Sequence, residues 1–209
     1  MTLFVEGPML AALSCGKPVY LVVLLPGAGA DAQAMLDLAL GWAPAMPKAD
    51  FLVADSGDFA ATDPNFVDRA AALDVFLDAM LAKRRLPASH LALVGFSEGA
   101  RLALHTGVAR RDRIAAIVAL SAVYEASLPT ALSGAPPPIL LVHGDADPVS
   151  PYQAMLEAKA ALKQSGAQVW SFKRPGLGHA LDDEGIAAAG DFLCKNVVHK
   201  APAEDHAHS

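Results

Sequence analysis

One five-residue stretch restricts this chain more than any other: Gly95-Phe96-Ser97-Glu98-Gly99. It follows an apolar run, Leu91-Ala92-Leu93-Val94, that reads as a short buried strand. It precedes Ala100 to Ala109, a run of good helix formers. Gly-x-Ser-x-Gly between a strand and a helix is a nucleophile elbow. The spacing has a steric cause. The serine sits on a turn so sharp that its backbone is strained, and a Cβ at either flanking glycine would strike the neighbouring strand or helix. The turn lifts the hydroxyl clear of the sheet and aims it at a helix N-terminus, where free N–H groups favour developing negative charge.

Around the elbow, strand and helix patterns alternate. Val19 to Leu25 is a continuous branched apolar run, suited to a strand buried on both faces. It ends in the small-residue loop Pro26-Gly27-Ala28-Gly29-Ala30-Asp31. A helix follows from Gln33 to Trp42, then a strand over Phe51 to Ala54 and a polar loop from Asp55 to Asp63. Asn65 to Arg85 reads as a long amphipathic helix, stopped by Pro87. Past the elbow helix come a strand over Ile114 to Leu120 and a loop ending in Pro136-Pro137-Pro138. Then follow a strand over Ile139 to His143, a helix over Pro151 to Gln164, a strand over Val169 to Lys173 and a helix over Asp183 to Asn196. Such alternation predicts an α/β fold, a mostly parallel sheet with helices on both faces, and places active groups at the carboxyl ends of strands. No linker interrupts it, so a single domain is expected over residues 1–198, with a polar, frayed tail over 199–209.

Composition excludes several alternatives. With 209 residues, 54% hydrophobic and only 18% charged, the chain can bury one sizeable core and does not read as disordered. Its net charge of −6 argues against nucleic acid or an anionic membrane surface as partner. The basic clusters Lys83-Arg84-Arg85 and Arg110-Arg111-Asp112-Arg113 end predicted helices, where cations complement the dipole. Met1 to Gly16 has no basic residue ahead of its apolar ones, the wrong order for a secretory signal, and no apolar run reaches membrane-spanning length. Cys15 and Cys194 show no metal-ligand spacing and read as free thiols in a reducing cytoplasm.

A serine nucleophile needs a base, and the base needs a group that fixes its tautomer. The strand ending at His143 runs into Gly144-Asp145-Ala146-Asp147-Pro148-Val149, and the next strand runs into Pro175-Gly176-Leu177-Gly178-His179. The order Ser97, Asp147, His179 is that of nucleophile, acid and base in this fold class. Of the seven histidines, His90, His105 and His143 lie within or beside predicted elements, and His199, His206 and His208 belong to the tail. His179 alone sits on an irregular, glycine-containing loop past a strand. For the acid, Asp145 and Asp147 both qualify by position. The Pro148-Val149 that follows favours Asp147, and the other aspartate is left to bind loop amides. Asp182 and Asp183 read as helix-start residues. His206-x-His208 offers two ligands on a tail, a poor metal site. Gly27-Ala28-Gly29 lacks the spacing and the lysine of a phosphate loop. No metal and no cofactor are implied.

From Gly7 to Asn196 the chain resembles the phospholipase/carboxylesterase family of α/β-hydrolases, which includes acyl-protein thioesterases and small bacterial carboxylesterases. The resemblance rests on residues 21–31, 93–99, 143–149 and 176–179. It implies Ser97 as nucleophile, Asp147 as acid, His179 as base, and an oxyanion hole made by the backbone N–H groups of Ala28 and Glu98. Three departures stand out. Pro26 replaces the family's usual histidine, Glu98 its usual glutamine, and Asp55 to Asp63 is shorter than the family's segment there. Neither substitution removes a backbone donor, and Arg101, three residues past Glu98, is within reach of its carboxylate.

Two readings from different classes follow. The first is a serine hydrolase of carboxylic esters, with thioesters of acylated proteins or lysophospholipids as alternative substrates. The second is a catalytically silent member that binds a small apolar ligand. Degraded members typically lose a triad residue, and this chain keeps all three, which favours the enzyme. Phe96, Val149 and Leu177, with Leu181, would line a small open pocket without a substantial lid, so short acyl groups are expected. The expected partner is a small-molecule ester, without nucleic acid or membrane insertion; a homodimer is compatible with this reading.

Overall fold

The computed structural model describes residues 4–55, 65–124 and 135–198. Seven strands form one sheet in the order β1-β3-β2-β4-β5-β6-β7: β1 (Val5–Leu10), β2 (Tyr20–Leu25), β3 (Ala49–Asp55), β4 (Leu91–Phe96), β5 (Ala116–Leu120), β6 (Ile139–Gly144) and β7 (Val169–Arg174). All pairings are parallel except that of β1 with β3. Among the described residues, α-helices accompany the strands: α1 (Ala32–Trp42), α2 (Phe66–Arg84), α3 (Glu98–Ala109) and α4 (Tyr152–Gln164) lie between them, and α5 (Asp183–Leu193) follows β7. Among the described residues no helix is long and apolar enough to cross a membrane.

The period of two along each strand divides the core. Leu21, Val23 and Leu25 of β2 face the side covered by α2, α3 and α4, where Leu73, Leu77, Leu102 and Met155 are buried. Val22 and Leu24 face the other side, beneath α1 and α5, with Met35, Trp42, Ala189 and Leu193. Each fully buried aliphatic side chain of this kind contributes about 1.5–3 kcal/mol. Trp42 closes the α1–α5 seam by donating its indole N–H to the carbonyl of Ile186 at 3.0 Å. A Cβ on Gly190 would sit 2.5 Å from its ring, so only glycine lets the two helices meet there.

Sequence and structure differ in four places. β1 was not expected: Gly7 and Pro8 interrupt it, and its register with β3 shifts between Glu6 and Met9. An edge strand tolerates such a bulge because one of its sides needs no ladder partner. α3 begins at Glu98, directly after the serine. The last helix gives way at Cys194 to a π-helical turn, Cys194–Val198. The basic clusters form specific pairs. Arg84 binds Asp50 at 2.9 Å with both side chains under a tenth exposed, and Arg110 reaches Asp74 and Asp78. Cys15 and Cys194 are both free thiols. The loop expected over Asp55 to Asp63, beyond Asp55 itself, and the tail lie outside the described residues.

The pairing register brings the carboxyl ends of β2, β4, β5, β6 and β7 to one rim. Leu25 lies opposite Gly95, Phe96 opposite Leu120, and Gly144 opposite Arg174. All the residues predicted to carry chemistry project from that rim.

Candidate active site

At the centre of the rim, β4 turns into α3 through Ser97, whose φ of 55° and ψ of −121° are conformations that a side chain resists. The flanking glycines explain how the turn is possible. A Cβ on Gly95 would overlap the carbonyl oxygen of Gly99, and one on Gly99 would overlap the carbonyl oxygens of Leu25 and Pro26. The Ser97 N–H is held by the carbonyl of Leu120 at 3.0 Å, which anchors the elbow to β5.

Two loops bring the other partners. His179, on the loop after β7, has Nε2 2.8 Å from the Ser97 Oγ and Nδ1 2.8 Å from Asp147 Oδ2. A carboxylate only accepts, so Nδ1 carries the proton and Nε2 is left free to accept from the serine. Asp147, on the loop after β6, takes the N–H groups of Val149 and Ser150 on its other oxygen, at 2.8 and 2.9 Å. Burial alone would raise the Asp147 carboxyl, but the Ser150 N–H, the His179 ring and the Val149 N–H outweigh it and hold the group below the usual carboxylate range. Behind Asp147 the fully buried His143 donates Nε2–H to the Ser150 carbonyl at 2.8 Å and stands 3.5 Å from the same carboxylate oxygen that binds His179.

Asp145 is placed differently. It accepts from the Gly176 N–H at 2.6 Å and pairs with Lys173 at 2.9 Å. The Lys173 ammonium and the Gly176 N–H hold its carboxyl below the ordinary range. It therefore ties the acid loop to the base loop. Backbone bonds complete the join, from Asp145 N–H to the Arg174 carbonyl (3.1 Å) and from Ala146 N–H to the Leu177 carbonyl (3.0 Å). The loops touch so closely that a Cβ on Gly144 would overlap the carbonyls of Leu177 and Gly178. Ser121, at φ 45° after β5, reaches the same loop from Oγ to the Ala180 carbonyl at 3.3 Å. Sequence reasoning passed over Gly144, His143 and Ser121. Only the glycine beside an aspartate after a strand was a readable signal.

On the opposite side of Ser97, the turn Gly27–Ala30 closes by an N–H bond from Ala30 to Gly27, with Gly29 at φ 65°. A Cβ on Gly27 would come within 3.0 Å of the Ser97 Cβ, so this loop lies directly on the elbow. The Ala28 N–H points across it and donates to Glu98 Oε2 at 3.2 Å. Burial would raise the Glu98 carboxyl, but the Ser97 hydroxyl, its own N–H, the Ala28 N–H and the nearby His179 together hold it low. The carboxylate turns to the elbow, and the Arg101 guanidinium, three residues on, lies 3.9 Å from the centre of the Phe66 ring. Of the residues expected to line a pocket, Phe96 packs on the His179 ring with centroids 5.2 Å apart, Leu177 is half-buried, and Val149 is 55% exposed. Among the described residues, surface cavities of about 420 and 210 Å³ lie elsewhere, beside Arg84 and between α2 and α3.

A mostly parallel sheet whose central strand ends in a strained serine, with a histidine and an aspartate converging from later strand ends, defines an α/β-hydrolase. The chain belongs to the phospholipase/carboxylesterase family, whose model matches residues 52–197. It is similar to acyl-protein thioesterase 1 of Neurospora crassa, 34% identical over 118 residues. That alignment covers 54% of this chain and 48% of the relative, about half its length. Esterase YpfH of Escherichia coli is 29% identical over 83% of this chain and 81% of its own. Among solved structures, esterase PE8 superposes with a TM-score of 0.84 at 30% identity, over 91% of this chain and 98% of that one.

Proposed function

We propose that the chain is a serine hydrolase of carboxylic esters that prefers short acyl groups and works through an acyl-enzyme on Ser97. One observation carries the reading: the unbroken line from Ser97 Oγ to His179 to Asp147, with both contacts at 2.8 Å. His179 takes the hydroxyl proton as Oγ attacks the acyl carbon, and Asp147 stabilises the imidazolium that results. The oxygen that becomes negative is received by the Ala28 and Glu98 N–H groups. The imidazolium then protonates the leaving alcohol. Water, deprotonated by the same ring, releases the acid from Ser97.

The acyl preference rests on Val149, two residues past the acid and largely exposed. A methylene adds about 1–3 kcal/mol of discrimination only where a pocket receives it. A fluorophosphonate should label Ser97, and kcat/KM over p-nitrophenyl esters from acetate to palmitate should peak at the short end. Failure of both labelling and turnover would refute the hydrolase. A steady rise to palmitate would leave it standing and favour the thioesterase reading, which the name of the Neurospora relative supports.

A further inference from the structure

The proposed reaction needs the Ala28 and Glu98 N–H groups open to a substrate oxygen, yet in the free chain they have an occupant. The Glu98 carboxylate folds back over the elbow. It accepts from the Ala28 N–H at 3.2 Å, and its own N–H helps hold the carboxyl low. These are the two donors assigned to the oxyanion. The residue is only 9% exposed. A carboxylate oxygen matches the tetrahedral oxyanion in negative charge and in accepting two converging N–H groups.

We propose that Glu98 is an internal competitor for the oxyanion hole, seated in the free enzyme and displaced when an acyl carbonyl enters. The inference rests on the hydrolase reading above. Among the described residues, the charged and titratable groups near the displaced carboxylate include His179 from the base loop and Arg101 one turn along α3, and the Gly27–Ala30 turn meets it through the Ala28 N–H.

The competition has a defined kinetic signature. Substrate binds only the fraction of enzyme from which Glu98 has left, so the apparent affinity falls in proportion to that fraction. Once substrate is bound the carboxylate is already out, so the chemical step is untouched. The product acid needs the same two donors, and Glu98 competes with it as well. The side chain therefore weakens substrate capture and also limits inhibition by the released carboxylate.

The test compares the wild type with Glu98→Gln, which keeps the shape and loses the charge, and Glu98→Ala, which removes the occupant. For p-nitrophenyl acetate at neutral pH, KM should fall about tenfold in the glutamine variant and at least as far in the alanine variant, with kcat held within about twofold. The inhibition constant of acetate should fall in parallel. A kcat that drops at constant KM would overturn the proposal, because Glu98 would then act in the transition state. Unchanged KM and acetate inhibition in folded variants would overturn it too. The Ala28 amide proton, read by NMR in the free proteins, provides a check without turnover. It should lie downfield in the wild type relative to both variants, and coincident resonances would also overturn the proposal. A wild type that is inactive and unlabelled at Ser97 while that amide shift is present would mark the failure of the hydrolase reading instead.

Discussion

The two aspartates after β6 stand two residues apart, and their partners divide the work. Asp147 faces His179 with one oxygen and spends the other on two amides, whereas Asp145 joins the loops through Gly176 and Lys173. Ser97→Ala and His179→Ala should each remove nearly all turnover, and the double variant should be no worse than either, because the residues act as a unit. Asp147→Asn should cost orders of magnitude in kcat, and Asp145→Asn far less; steady-state kinetics on one soluble ester decides the order. Acid stability gives a second handle. Asp147 is held below its unfolded value, so its contribution is complete above about pH 4 and is lost as pH falls through the folded value. The gap in unfolding free energy between wild type and Asp147→Asn, from urea titrations, should narrow below about pH 4. At this scale the sequence named the serine and the base from context. It favoured Asp147 without excluding Asp145, because the choice depends on how two loops lock together. It missed the Glu98 contact because Ala28 is 70 residues away along the chain.

Among the elements, those with a continuous apolar run or a clear helical stripe were legible, and β1 was not. Val5–Leu10 carries Gly7 and Pro8 in its middle, and its pairing with β3 depends on a shifted register that no local pattern announces. The joints were partly legible. Gly95 and Gly99 follow from the motif, but Gly144 matters because the β6 and β7 loops cross on it. Gly144→Ala should lower the melting temperature and cut kcat/KM about 100-fold, since a displacement near 1 Å between base and acid has that effect. Gly41→Ala, in α1 with nothing within 4 Å of its added carbon, should instead raise stability by about 0.5–1 kcal/mol and leave activity alone. Thermal melts and kinetics on the two variants test that contrast.

For the whole molecule, alternation of strand and helix was enough to predict the layers, because a parallel sheet needs a crossover between successive strands. What alternation does not give is the strand order, which comes from tertiary packing: β2 lies between β3 and β4, and this places Leu25 and the Ala28 turn beside the elbow. The two apolar layers share every central strand, so one cannot dissolve without exposing the other. If residues 1–198 are a single domain, tryptophan fluorescence, from Trp42 in the α1–α5 seam and Trp170 against Phe192 of α5, should follow the same denaturant transition as far-UV circular dichroism. Two separated transitions would divide the domain.

The left-handed backbone of Ser97 gives its retention a historical meaning. Glycine adopts a φ of 55° without the penalty that a side chain meets, so Ser97→Gly should be inert as an esterase and more stable than the wild type by about 1 kcal/mol, a difference denaturant titration can read. A lineage under no demand for turnover would find that substitution one base change away from an AGU or AGC serine codon and favoured by folding alone. Stability by itself would erase the serine, so its survival on that turn is what continued use would leave behind.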